Sequence, residues 1–210
     1  MRQKPQGWKA VVDLGSGDPF RKIGLPTGKA EREYVVAQWF RSALATGQST
    51  DLQIQDLTQL VENDHDFEIK TERGRRFLEL TEFAPLSGPY AEVSDALNVG
   101  TTADQLLTLI NKKAAHYPRS DPHLILLIYP THYAFEPLEY VFDLVGDGLR
   151  TCPPLFEQVF FFFPTDPIGS EFRLMYPTGA PALSQAIIDD MRKKWFANGD
   201  LTKEAWVSYE

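Results

Sequence analysis

Two runs of the chain, His123 to Tyr129 (HLILLIY) and Val159 to Phe163 (VFFFF), are almost wholly apolar. A strand with one face in water alternates polar and apolar residues, so a strand without alternation must be covered on both faces. Such strands belong to a sheet layered between helices, which restricts the chain to an α/β architecture. No stretch approaches the roughly 18 apolar residues of a membrane span, so no membrane association is expected. With 210 residues, 43% of them hydrophobic, the chain has material for one sizeable core, and a single domain is expected.

The segments around these strands supply the layers. Thr27 can cap a helix over Lys29 to Leu44, where Val36, Phe40, Ala43 and Leu44 recur at helical spacing and Glu33 continues the stripe one turn earlier. Leu52 to Val61 and Phe67 to Thr71 read as extended chain, and Glu72-Arg73-Gly74-Arg75 as a turn. Arg76 to Phe83 alternates, with Phe77, Glu79, Thr81 and Phe83 on one face and Leu78, Leu80 and Glu82 on the other. These two extended segments are expected to form a β-hairpin. A helix from near Thr102 buries Leu106, Leu107, Ile110, Ala114 and Tyr117; Lys113 flanks that stripe and Lys112 faces away. Leu138 to Leu144 fits either element, and Pro153 to Gln158 is expected to be a short helix opened by proline. Phe172 to Tyr176 suits an edge strand and Ala182 to Phe196 a terminal amphipathic helix. Residues 1 to 28, rich in Gly and Pro, read as a loop-rich extension with one short strand over Lys9 to Leu14.

A net charge of -8 and a pI near 5.1 argue against a protein that coats nucleic acid through a broad basic face. Local basic patches remain at Arg73, Arg75 and Arg76, at Lys112 and Lys113, and at Arg192, Lys193 and Lys194. The single cysteine, Cys152, can form no internal disulfide, and the opening MRQKPQGW has no apolar leader run. A cytoplasmic location is therefore expected.

Hydrolysing a phosphodiester with a divalent ion requires carboxylates to hold the ion and a cation beside the developing charge. Asp66 at the start of one hairpin strand and Glu79 within the other can share one sheet face, with Glu33 approaching from the first helix. The order of helix, strands, hairpin, helix and strand over residues 29 to 129, with His65-Asp66-Phe67-Glu68-Ile69 and Phe77-Leu78-Glu79-Leu80-Thr81, resembles the PD-(D/E)XK nuclease superfamily. That resemblance implies a restriction-endonuclease-like mixed β-sheet flanked by helices, an αβββαβ core within residues 29–163. The extension 1–28 and the segment 164–210 would decorate it. It implies Asp66 and Glu79 as metal ligands, the Leu80 carbonyl as a third, Glu33 as an accessory acid and Mg²⁺ or Mn²⁺ as cofactor. The implied activity is hydrolysis of DNA or RNA. His65 stands where the family often has proline, and Thr81 where it has lysine. Some members draw that lysine from the following helix, and Lys113, bordering the buried stripe on a flexible stem, is placed to serve.

Val11-Val12-Asp13-Leu14-Gly15-Ser16-Gly17 competes as a glycine-rich loop like that of methyltransferases that bind S-adenosylmethionine. The helix that must follow such a loop would be broken by Gly24 and Pro26, so a plain turn is the better reading. The histidines show no ligand spacing, and Cys152 reads as an idle thiol rather than a nucleophile. Tyr129, Tyr133, Phe135 and Tyr140 suit a core or interface better than a base-stacking platform. Two functions follow: a Mg²⁺-dependent nuclease centred on Asp66, Glu79 and Lys113, or a catalytically inactive scaffold for partner binding or homodimerisation.

Overall fold

The computed structural model describes residues 8–9, 23–46, 51–60, 65–84, 99–117, 123–131 and 136–197. In chain order the elements are β1 (Trp8–Lys9), α1 (Lys29–Thr46), β2 (Ile54–Gln59), β3 (Phe67–Thr71), β4 (Gly74–Glu82), α2 (Val99–Ala114), β5 (Leu124–Tyr129), β6 (Glu136–Pro137), α3 (Glu139–Thr151), β7 (Gln158–Phe163), β8 (Glu171–Tyr176) and α4 (Gln185–Ala197). Six strands form one mixed sheet in the order β2-β3-β4-β5-β7-β8, and β1 pairs with β6 in a two-stranded ribbon. β4, β5 and β7 run parallel in the centre, while the β2–β3–β4 meander and β8 pair antiparallel at the two sides. The chain is therefore an α/β protein with a six-stranded mixed sheet and four helices among the described residues.

The two apolar runs occupy β5 and β7, where every residue from Leu124 to Tyr129 and from Val159 to Phe163 is buried. Alternate residues enter separate cores. Leu124, Leu126, Ile128, Val159 and Phe161 pack with α2 and α3, whereas Ile125, Leu127, Phe160 and Phe162 pack with α1. β4 is divided in the same way: Leu78 and Leu80 belong to the α1 core, Phe77 and Phe83 to the α2 side. Gly74 closes the hairpin at φ 105°, a left-handed conformation that a residue with a Cβ adopts only at a cost. On the outer strand, Arg41 of α1 donates to the carbonyls of Ile54 (3.2 Å) and Gln55 (2.6 Å), tying β2 to its helix.

The segment left open by its sequence, Leu138 to Leu144, enters α3, because Val141, Leu144, Val145 and Leu149 make a helical stripe against the α2 core. Pro153 to Gln158 is not a helix. After α3 the chain bends through Pro153-Pro154, Phe156 drops into the core, and Glu157 N–H bonds Leu124 O at 2.8 Å before β7 begins. Adjacent prolines disfavour helical backbone at the first of them and remove two donors, which accounts for the extended path. α2 starts at Val99, ahead of the expected Thr102, because Val99 and Gly100 are buried with the rest of its stripe. β8 joins β7, so the segment after residue 163 completes the sheet as well as decorating it. Of the strand expected over Lys9 to Leu14, positions 10 to 14 lie outside the described residues, as does the glycine loop at 11–17.

Phe40 is the keystone of the α1 core. It is fully buried and meets Phe160, Phe162 and Phe172 edge-on at centroid distances of 5.1, 5.5 and 5.9 Å. Truncation removes these contacts and leaves a cavity, so Phe40→Ala is expected to cost about 3–5 kcal/mol, read as a lowered midpoint in urea denaturation.

Candidate functional site

The β3–β4 ladder pairs Phe67 with Leu78, and one step further brings Asp66, just before β3, opposite Glu79. Both acids lie on the sheet face beneath α2. They are tied to each other and to the backbone: Leu80 N–H donates to Asp66 Oδ2 at 2.8 Å, and Asp66 N–H donates to Glu79 Oε1 at 3.2 Å. Lys113, in the last turn of α2, comes down on the pair. Its Nζ lies 3.0 Å from Glu79 Oε2 and 3.8 Å from Asp66 Oδ2. A cation in the last helical turn also meets the negative end of the helix dipole.

Glu79 is 1% exposed. A carboxylate so placed requires partners on every side. Besides Lys113 and Asp66 N–H it has His65, whose Nδ1 lies 3.0 Å from Oε1, and a side-chain hydrogen bond with Tyr117. The His65 ring is stacked between Phe77, at 4.3 Å and 24°, and Tyr117, at 5.4 Å and 18°. Burial, and next the charge of Asp66, push the Glu79 carboxyl above the ordinary value; Tyr117 and Lys113 oppose that rise without cancelling it.

Glu33 reaches the same neighbourhood from α1. Only 7% exposed, it pairs with Lys29 at 3.6 Å. Its carboxyl is raised by burial first and by the Asp66 charge second, with Lys29 and Lys113 opposing. Beside it, Arg32 lies 3.3 Å from Glu82 and hydrogen-bonds Tyr129, whose hydroxyl burial raises to about 12. The structure thus brings Asp66, Glu79 and Lys113 into contact and sets Glu33 within electrostatic reach. Thr81, two residues beyond Glu79 on the same strand face, carries no charge; the ammonium beside the acids comes from α2. Leu80 buries its side chain in the α1 core while its N–H points to the β3 side, and the carbonyl of an extended residue leaves the strand on the same side.

Comparison with protein-family models, with curated proteins and with solved structures returned no match.

The donor set suits a hard cation. Among the described residues no three His, Cys, Asp or Glu side chains are gathered as a self-sufficient metal site. Mg²⁺ does not need one, since it binds through one or two carboxylates and keeps several waters. Asp66 is 24% exposed on its side chain and Lys113 23%, so solvent reaches the mouth while Glu79 forms the floor.

The basic turn is less available than its sequence suggests: Arg73 pairs with Asp51, Arg75 with Glu68 and Arg76 with Glu157. Lys112 is exposed, and the side chains of Arg192 to Lys194 lie outside the described residues. His65 and Tyr117 are the members that sequence reading missed. His65 was discounted because the histidines lack ligand spacing, and Tyr117 was assigned to the buried stripe. Their signal was positional: Tyr117 follows Lys113 by four residues, and Phe77 precedes Glu79 by two on the same strand face.

The raised Glu79 carboxyl sets a pH dependence. The folded state holds that proton more tightly than the unfolded chain, so its stabilisation is complete below the ordinary carboxylate value and is lost as pH rises through the raised one. Glu79→Gln, neutral throughout, is expected to flatten this decline, and Lys113→Met, lacking the compensating ammonium, to steepen it. Urea midpoints measured from acid to mildly alkaline pH test this; equal pH slopes in the three proteins would contradict it.

Proposed function

We propose that the protein is a Mg²⁺- or Mn²⁺-dependent nuclease of the restriction-endonuclease-like type, hydrolysing phosphodiesters of DNA or RNA at the Asp66–Glu79–Lys113 cluster. The observation that carries this reading is Lys113 Nζ at 3.0 Å from Glu79 Oε2. It provides, from a helix, the charge missing at Thr81, beside two acids on neighbouring strands. The element order α1, β2, β3, β4, α2, β5 supports it as the αβββαβ succession of that fold.

Asp66, Glu79 and the Leu80 carbonyl would hold the ion, which when bound supplies Lewis acidity and a water of lowered pKa. Glu79, held from four directions, contributes a fixed anionic floor. Asp66, 24% exposed on its side chain, contributes the accessible oxygen. Lys113, paired with both acids, has the stem length to reach the mouth and would meet the negative charge that develops on a phosphate. Glu33, whose raised proton affinity keeps it closer to neutral than an ordinary glutamate, is placed to accept or return a proton at the margin of the site.

One observation favours the catalytically inactive scaffold: both Glu79 oxygens already have partners within the protein, as in a purely structural buried ion pair. Cleavage of single- and double-stranded DNA and RNA with Mn²⁺ separates the two. The nuclease reading expects metal-dependent cleavage, abolished in Asp66→Ala and Glu79→Ala and reduced about 100-fold in Lys113→Ala, with circular dichroism unchanged. A folded chain that shows neither cleavage nor calorimetric binding of Mn²⁺ would leave the scaffold reading.

A further inference from the structure

The stack of His65 between Phe77 and Tyr117 lies beneath the two acids and does more than fill space. An ionised carboxylate only accepts, so with Glu79 paired to the Lys113 ammonium the contact at 3.0 Å from Oε1 assigns the donor role to the His65 Nδ1–H. Oε1 also accepts from Asp66 N–H at 3.2 Å. The two donors come from opposite sources, one a side chain clamped between aromatic rings and the other the backbone at the start of β3. Neither can follow a rotating carboxylate. Oε2 is the Glu79 oxygen that meets the partly exposed Lys113 ammonium, at 3.0 Å, and Tyr117 also hydrogen-bonds this carboxylate.

Asp66 is restricted in the same way. Its Oδ2 accepts from Leu80 N–H at 2.8 Å, which leaves Oδ1 uncommitted among the described residues. Each acid therefore offers one oxygen, in a fixed direction. Ca²⁺ prefers six to eight ligands in flexible arrangements that often include bidentate carboxylates, whereas Mg²⁺ requires a tight octahedron and accepts single carboxylate oxygens completed by water. Mn²⁺ likewise suits an octahedral oxygen site.

We infer that His65 is a positioning residue which, by holding Glu79 Oε1 in place and turning Oε2 alone toward Lys113, makes this site select small octahedral cations over Ca²⁺. The inference rests on the proposed metal site and adds to it a determinant of selectivity at a position that the sequence alone left without a role. Outer hydrogen bonds of this kind orient ligands and typically influence metal affinity 10- to 100-fold.

Titration calorimetry of the full chain with MnCl₂ and CaCl₂ tests it without recourse to activity. The wild-type chain is expected to bind Mn²⁺ at least about 10-fold more tightly than Ca²⁺. Three variants separate the hydrogen bond from the packing. His65→Phe keeps a ring in the stack but loses the donor, and His65→Ala loses both; in these the preference for Mn²⁺ should collapse toward parity. His65→Asn loses the ring but keeps a donor near the Nδ1 position, and should retain most of the preference. A merely structural histidine would show the reverse, with Phe tolerated and Asn not. Equal Mn²⁺ and Ca²⁺ affinity in the wild-type chain, or undiminished discrimination in His65→Phe, overturns the inference while leaving the metal site standing. Failure of the wild-type chain to bind either ion overturns the metal site itself, and the inference with it.

Discussion

The structure turns on one buried carboxylate. Glu79 sits on a central strand at 1% exposure, where an unpaired charge would be far too costly to keep. Everything around it answers that cost: the ammonium of Lys113 at 3.0 Å, the ring nitrogen of His65 at 3.0 Å, the backbone N–H of Asp66 at 3.2 Å and the hydroxyl of Tyr117. Removing Glu79 alone would take from Lys113, His65 and the Asp66 N–H an acceptor that they share, and breaking one side of a buried ion pair is costly even where replacing the whole pair by apolar side chains is not.

β4 makes this placement possible because its two faces are assigned to different cores. Leu78 and Leu80 fill the α1 side, and their burial holds the register that turns Glu79 toward α2. A slip of one residue would exchange the faces, moving Glu79 into the α1 core and a leucine toward Lys113. The hairpin turn at Gly74 and the pairing of Phe67 with Leu78 keep that register, so the chemistry of the site depends on the packing of side chains that never touch it.

Much of this was legible in the sequence. The unalternating runs at β5 and β7 demanded a doubly covered sheet, and the alternation from Phe77 to Phe83 assigned Glu79 and Leu80 to opposite faces before any coordinates. Lys113 was named through the family resemblance, in which the lysine can come from the following helix, and its place at the border of its stripe agreed with that. What escaped was non-local. α3 was obscured because Leu138 to Leu144 is too short to separate a helical from an extended period, and only its continuation to Leu149 decides. The turn at Pro153 was misjudged because a proline that can open a helix can equally prevent one. His65 and Tyr117 have ordinary sequence settings; their roles come from a stack between residues 52 positions apart in the chain, which no local pattern encodes.

The distribution of charge narrows what such a site can engage. The chain carries 29 acidic against 21 basic residues, and the arginines of the hairpin turn are already matched to Asp51, Glu68 and Glu157. Burial alone would push the Glu157 carboxyl up, but Arg76 and His123 more than offset it and hold it below the ordinary value. The arginines of this turn thus have little uncommitted charge to offer a polyanion, and their share of counterion release, which scales with the phosphates neutralised, would be small. Local attraction would arise where Lys113 and Lys29 stand beside acids whose charge a bound cation would offset. A divalent ion bound there, as the proposed function has it, would reverse the local sign of the field, so affinity for a phosphate backbone would follow the occupancy of the site.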